Sequence, residues 1–354
     1  MSSPHRPVTV EQLGAFDALI DARAPAEFAE DHIPGAINCP VLDDEERAIV
    51  GTLYKQTGAF EARRVGGAMV AANLATHLRE RFADKPRGWR PLVYCWRGGM
   101  RSGSMVTWLR LVGWDAQQLQ GGYKAWRKHV IGFIEQRAPA LHYRVLCGPT
   151  GSAKTSVLLA LEQAGAQVLD LEGLARHKGS VLGSLPGEDQ PSQKAFETQI
   201  AHRLAQLDPA RPVYVEAESR KIGRLAVPLP LLDALRASPC LEIAAERPVR
   251  LAYLLRDYAY LGDDAEALAA KIALLHGLQA NETLERWQGW ARAHELAPLF
   301  DELMALHYDP LYARSQGQHL KQLQQARRLP AEDLSPAGIE QLARRIIDSE
   351  EPSP

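Results

Sequence analysis

Residues 143–155 constrain the fold more than any other part of the chain. YRVLCG reads as a buried strand, the loop Gly148-Pro149-Thr150-Gly151-Ser152-Ala153-Lys154-Thr155 follows it, and a helical pattern runs from Lys154 to Ala164. A strand feeding a glycine-containing loop that opens a helix lets successive backbone N–H groups converge on an anion at the helix N-terminus. The loop matches G-x-x-x-x-G-K-[ST] except that Ala153 stands at the last glycine position. An alanine there costs about 1 kcal/mol if its φ is positive and nothing if its φ is helical. The expected phosphate-binding residues are Gly148, Thr150, Gly151, Ser152, Ala153, Lys154 and Thr155. The amides cradle phosphate, Lys154 meets the distal oxygens, and the Thr155 hydroxyl can hold Mg²⁺. The motif specifies phosphate and leaves the rest of the ligand open.

Two later segments, AQVLDLEG and PVYVEAES, repeat a strand-then-acid pattern. They place Asp170, Glu172, Glu216 and Glu218 at the strand ends where parallel sheets carry their chemistry, as carboxylates that can organise a metal or a ligand. Their spacing specifies no particular metal. Arg176, His177, Lys178, Gly179 and Ser180 form a basic polar cluster that either contacts a ligand or closes a loop.

A second chemical signal lies upstream. PLVYC is a short apolar run ending at Cys95, and CWRGGMRS leads into a helical pattern from Arg101 to Val112. A cysteine at a strand end, followed by glycines and a helix N-terminus, sits in an anion nest that favours the nucleophilic thiolate. Cys95 is the expected catalytic residue, with Arg97, Gly98, Gly99 and Arg101 binding an anion beside it. Five residues separate Cys95 from Arg101, a spacing that suits cysteine-dependent phosphatases as well as chalcogen transfer. Cys39, Cys147 and Cys240 form no CxxC pair and read as structural.

The organisation follows from these landmarks. The chain has 354 residues, enough for two domains or more. Residues 8–40 read as strand, turn, strand, helix and a Pro/Gly turn, and residues 43–84 as mostly helical. The expected domains are 1–135, 136–245 and a helical region 246–354 that is either separate or an extension of the second. The fold class is therefore α/β, two sheet domains with a mainly helical C-terminal extension. The polar start has no signal-peptide core and no apolar run reaches membrane-spanning length, so the expectation is a cytoplasmic protein. SEEPSP reads as a frayed end.

With 41 basic and 43 acidic residues the net charge is −2, which excludes a uniformly basic nucleic-acid coat. The balance is local, however: from Lys85 to Lys128 there are nine basic residues and one acid, Asp115.

Several segments together carry a family resemblance. DARAPAEFAEDHIPGAIN (Asp21–Asn38) is similar to the start of a rhodanese domain. DDEERAIVGTLYKQTG (Asp43–Gly58), YCWRGGMRS and GGYKAWR (Gly121–Arg127) resemble tRNA 2-selenouridine synthases, in which a rhodanese-like domain precedes a P-loop NTPase-like domain. GPTGSAKT, the stretch Asp170–Glu197 and VEAESRKIG (Val215–Gly223) continue the resemblance.

The resemblance implies a transferase that geranylates the wobble 2-thiouridine of tRNA from geranyl diphosphate. It then replaces the S-geranyl group with selenium from selenophosphate. No tightly bound cofactor is implied, and Cys95 matches the cysteine of the selenation stage. The basic strip then becomes a candidate tRNA surface, with Trp96, Tyr123, Lys124, Trp126, Arg127 and Lys128 as contacts, and Arg247, Arg250 and Arg256 as further ones. Two other classes stay open on the residues alone. One is a cysteine-dependent phosphatase fused to a nucleotide-binding regulatory domain. The other is a non-catalytic RNA-binding protein.

Overall fold

The computed structural model describes residues 8–312, 314, 320 and 322–349; the expected frayed end from residue 350 onward lies outside them. The chain divides into two compact units. One is Met1–Phe133 with Ser192–Thr198, and the other is Ile134–Pro191 with Gln199–Pro354.

In the first unit β1 (Ala18–Asp21), β2 (Ala36–Asn38), β3 (Pro91–Tyr94) and β4 (Gln117–Gln118) form a parallel sheet in the order β2-β1-β3-β4. Every residue of β3 is buried, as an apolar run covered on both faces requires. The strand expected near residue 8 is reduced to a bridge between Val8 and Leu119, and Val10–Ala15 is a 3₁₀ turn instead. Thr9 and Gln12 close that turn reciprocally, which ends the extended run. Helices Asp44–Gln56 and Ala59–Glu80 fill the region read as helical.

Asp21 and Arg23 form a fully buried ion pair at 2.6 Å beneath this sheet. The Arg23 guanidinium also donates to the Asp31 carbonyl and lies 3.9 Å from the centre of the Tyr123 ring. The pair is thus hydrogen-bonded on several sides, which offsets the cost of burying it, while Arg23 Nη1 has no hydrogen-bond partner among the described residues.

The second unit is built on β5 (Tyr143–Cys147), β6 (Gln167–Leu169), β7 (Val213–Glu216), β10 (Cys240–Ala244) and β11 (Arg327–Pro330), all parallel, in the order β11-β10-β5-β7-β6. A small antiparallel pair, β8 (Lys221–Ile222) and β9 (Leu225–Ala226), stands apart. The region after residue 246 is not wholly helical, because β11 joins this sheet beside β10. Proline lacks the ladder N–H and is tolerated at an edge, and β11 is one of the two edge strands and ends at Pro330. Helix Pro336–Asp348 then packs on helix Lys154–Gln163, so one core cluster runs from Leu158 to Ile346. Among the described residues no helix is long and apolar enough to cross a membrane.

Candidate active sites

Cys95 lies one residue past β3 and is 3% exposed. Its Sγ accepts from the Gly99 amide at 3.3 Å and from the Ser102 hydroxyl at 3.1 Å. Gln118 Nε2 donates to Ser102 Oγ at 2.8 Å and to the Gly99 carbonyl at 2.9 Å. The Gln118 amide thereby turns the Ser102 proton toward sulfur. Helix Met100–Val112 begins beside the thiol and adds its positive end.

The backbone is closed from the other side by Gly121 and Gly122. Tyr123 N donates to the Cys95 carbonyl at 2.8 Å. At Gly122, with φ +56°, a Cβ would collide with that same carbonyl oxygen. This explains why the cysteine loop and GGYKAWR occur together: the second supplies the floor of the first.

The two arginines of the loop differ. Arg101 is held by Glu27 through both guanidinium nitrogens, one of these bonds at 3.2 Å, so its charge is already matched by a carboxylate. Arg97 is exposed and has no ion pair among the described residues. This corrects the expectation that both arginines face an incoming anion, and it weakens the phosphatase reading, which needs Arg101 on phosphate. Glu27, Ser102 and Gln118 belong to the site and were absent from the sequence-based set. Ser102 and Glu27 had a signal, as members of CWRGGMRS and of the Asp21–Asn38 segment, whereas Gln118 had none.

The expected tRNA contacts separate by burial. Tyr123 is 0% exposed and its hydroxyl donates to Asp31 at 2.7 Å. Arg127 is engaged by Glu197, by the Lys194 carbonyl at 3.1 Å and by Thr198 at 3.2 Å. Neither presents a free face to a base or phosphate. Trp126 packs on a core cluster and stacks on His129, and Trp96 packs on the same cluster with its ring tilted against Tyr123. Lys124 and Lys128 are exposed.

In the second unit the loop expected to bind phosphate joins β5 to helix Lys154–Gln163. Ala153 adopts φ 58° and ψ 30°, so the left-handed conformation and its cost of about 1 kcal/mol apply. Lys154 Nζ donates to the Gly148 carbonyl at 2.9 Å, and Tyr312 Oη accepts from the Gly148 amide. Ser152 is buried, and its hydroxyl donates to the Pro149 carbonyl at 2.7 Å. Its side chain therefore shapes the loop. Thr150 and Gly151, with Ala153, Lys154 and Thr155, line a cleft of about 390 Å³.

Glu172, Glu216 and Glu218 also line that cleft, with ligand oxygens within 4.8 Å of one another. Thr155 Oγ1 lies 3.3 Å from Glu172 and 3.2 Å from Glu216. Burial first, and the neighbouring Glu218, push the Glu172 carboxyl up to about 8. Burial and Glu216 push Glu218 up to about 8, and burial raises Glu216 well above the usual carboxylate range. Glu216 Oε1 is buried with no hydrogen-bond partner among the described residues. A P-loop fold implies Mg²⁺, and this donor set fits it: a hydroxyl and three carboxylates, one of them with an orphaned buried oxygen, on one side of a phosphate cradle. Asp170 does not join the group. Its Oδ1 accepts from the Gly173 amide at 2.8 Å and caps helix Leu171–Ala175.

Residues 176–180 divide in the same way. Lys178, Gly179 and Ser180 line the cleft, and Lys178 is paired with Asp257 at 2.8 Å. Arg176 ends a short helix in the left-handed conformation. Arg250 is 6% exposed, bound bidentately to Asp309 at 2.9 Å and donating to the Thr150 carbonyl at 2.9 Å. It therefore supports the phosphate loop and is no tRNA contact. Arg247 is held by Asp301 and Arg256 by the Leu334 carbonyl.

A parallel domain ending in a thiol loop, followed by a parallel domain with a phosphate loop and a carboxylate cluster, defines a rhodanese–P-loop fusion. A rhodanese-like domain model matches residues 9–129, and a model described as the tRNA 2-selenouridine synthase AAA domain matches residues 141–282. The chain belongs to the tRNA 2-selenouridine synthase family. It is 34% identical to the Marinobacter nauticus tRNA 2-selenouridine synthase over 87% of this chain and 91% of that one. It is 38% identical to the Nitrosomonas europaea enzyme of that name and 39% identical to the Alcanivorax borkumensis one, each over 68% of this chain. Those two alignments span 63% and 66% of the relatives' own length.

Proposed function

We propose that this chain modifies the wobble 2-thiouridine of tRNA in the cytoplasm in two stages. It transfers a geranyl group from geranyl diphosphate to sulfur, then exchanges the S-geranyl group for selenium from selenophosphate. The observation that carries the reading is the presence, in one chain of this family, of a thiol held by two donors and a lysine-bearing phosphate cradle.

In the first stage the thiouridine sulfur attacks C1 of geranyl diphosphate. The S–C1 bond forms, the C1–O bond breaks with its electron pair leaving on diphosphate, and the N3 proton goes to solvent. Sulfur is soft and nucleophilic, so the barrier lies in orienting the reactants and stabilising the leaving group. Lys154 and the loop amides supply that stabilisation, and Arg250 holds the loop in shape through the Thr150 carbonyl. Thr155, Glu172, Glu216 and Glu218 would hold Mg²⁺, which supplies charge neutralisation of a diphosphate when bound.

In the second stage the selenium of selenophosphate bonds to C2, the C2–S bond breaks with its electron pair leaving on geranylthiolate, and the thiolate takes a proton from solvent. Water then releases phosphate, leaving 2-selenouridine. Gly99 and Ser102 donate to Cys95 Sγ and fix it within the loop, and Arg97, Gly98 and Gly99 meet the selenophosphate anion. Lys124 and Lys128 would contact tRNA phosphates.

The test supplies thiolated tRNA with geranyl diphosphate and selenophosphate separately and reads the wobble nucleoside by mass spectrometry. Cys95→Ser should leave S-geranyl formation intact and stop 2-selenouridine. Lys154→Ala should cut geranylation by at least about 100-fold. Loss of geranylation in folded Cys95→Ser would overturn the division of labour, and a wild type inert on thiolated tRNA would overturn the assignment.

A further inference from the structure

Glu27 and Arg101 form a two-pronged ion pair beside the thiol loop. Nη1 and Nη2 of the guanidinium each reach a different carboxylate oxygen, the second at 3.2 Å. Glu27 is 24% exposed and Arg101 18%. Glu27 does not owe its position to Arg101. It is the third residue of helix Pro25–Glu30, and its Oε2 also accepts from the Ala24 amide at 3.2 Å. Burial pushes the Glu27 carboxyl up, but Arg101, with the Ala24 amide and Arg47 adding to it, outweighs burial and holds it below the ordinary carboxylate value. Glu27 is therefore a fixed negative charge, set on the one arginine whose spacing from Cys95 suits a phosphate-binding loop.

We propose that Glu27 is a specificity-determining residue of the thiol loop: by holding Arg101 it excludes inorganic phosphate and phosphate monoesters from Cys95. Arg101 lies in sequence between Gly99 and Ser102, the two donors to Cys95 Sγ. A guanidinium recognises a tetrahedral oxyanion through a planar fork of N–H groups, and the same fork matches a carboxylate. With Glu27 in the fork, a phosphate dianion must displace a carboxylate that its own helix keeps in place. It also meets that carboxylate's negative charge at close range. The exposed Arg97 is screened by solvent and does not replace the lost fork. Discrimination of this kind comes from an element set against the unwanted ligand. It is independent of the selenium chemistry proposed above, because it concerns what the loop refuses.

Alkylation of Cys95 by iodoacetamide, followed on the intact chain by peptide mapping, reads occupancy of the loop. It is run at constant ionic strength against rising inorganic phosphate, and in a parallel series against phenyl phosphate. Glu27→Gln keeps an oxygen for the Ala24 amide and removes only the charge. It should be half-protected at a phosphate concentration at least about tenfold below that of wild type, the order of one charge-assisted hydrogen bond. Adding Arg101→Met to Glu27→Gln should return the wild-type value. Glu27→Ala, which empties the fork altogether, should shift protection in the same direction as Glu27→Gln. Equal half-protection of wild type and the folded Glu27 variants would overturn the proposal, and so would a gain that survives Arg101→Met. Protection of Glu27→Gln by inorganic phosphate but not by phenyl phosphate would overturn its extension to monoesters. No tRNA or selenium enters this assay. Its failure therefore leaves the two-stage reading standing, and a wild type inert on thiolated tRNA leaves the exclusion of phosphate standing.

Discussion

At Cys95 the thiol's surroundings reduce to two donors of different origin. The Gly99 amide comes with the loop, whereas the Ser102 hydroxyl is aimed only because Gln118 donates to it from β4. Hydrogen bonds to a charged acceptor contribute about 1.5–3 kcal/mol each. Ser102→Ala should therefore slow alkylation of Cys95 by iodoacetamide by about tenfold at neutral pH, while Gln118→Ala gives a smaller loss. Equal rates for Ser102→Ala and wild type would show that the hydroxyl does not support the thiolate. The two candidate loops were legible, because Cys95 with its glycines and Lys154 with its loop are contiguous motifs. What sequence could not supply was the far side of each motif. Glu27 is distant in sequence from Arg101 and cancels its charge, and Tyr123, an aromatic in a basic strip, turns inward to Asp31. Nothing in local spacing separates an inward tyrosine from an outward one.

Among elements, the end of β7 and the short helix Leu171–Ala175 converge on three carboxyl groups that burial keeps from ionising. Glu172 and Glu218 titrate near 8 in the folded protein against an ordinary value of 4.5. Between these values the folded protein retains protons that the unfolded chain releases, so stability falls as pH rises through about 8. Mg²⁺ favours the ionised carboxylates and should reverse the trend. Without divalent metal the thermal midpoint should decline from pH 5 to pH 8, and added Mg²⁺ should restore more of it at pH 8 than at pH 5. Glu218→Gln should flatten both curves; identical curves for that variant and wild type would refute a shared proton load. The strand-then-acid pattern put Glu172, Glu216 and Glu218 at strand ends, and the structure brings those three together, but the pattern promoted Asp170 equally. Helix capping needs the same residue type at the same strand end, so pattern alone could not distinguish them. Strand β11 escaped a sequence reading for a related reason: RRLP lacks apolar alternation because an edge strand needs little of it.

On the scale of the whole molecule, the first unit recruits Ser192–Thr198 from far along the chain. Thr198 Oγ1 donates to Asp31 at 3.0 Å, and Glu197 pairs with Arg127. Asp31 is 3% exposed and burial raises its carboxyl, so a missing donor there is felt. Thr198→Val should lower stability by about 1.5–3 kcal/mol in urea unfolding. A loss below about 0.5 kcal/mol would mean the strap is ornamental to that carboxylate. The same arrangement makes the first unit discontinuous along the polypeptide. Its last seven residues emerge from the ribosome only after β5, the phosphate loop and β6 have been made, so the thiol domain cannot complete its own interior until much of the next domain has been synthesised. Maturation of the two reactive loops is in this way placed on a common schedule.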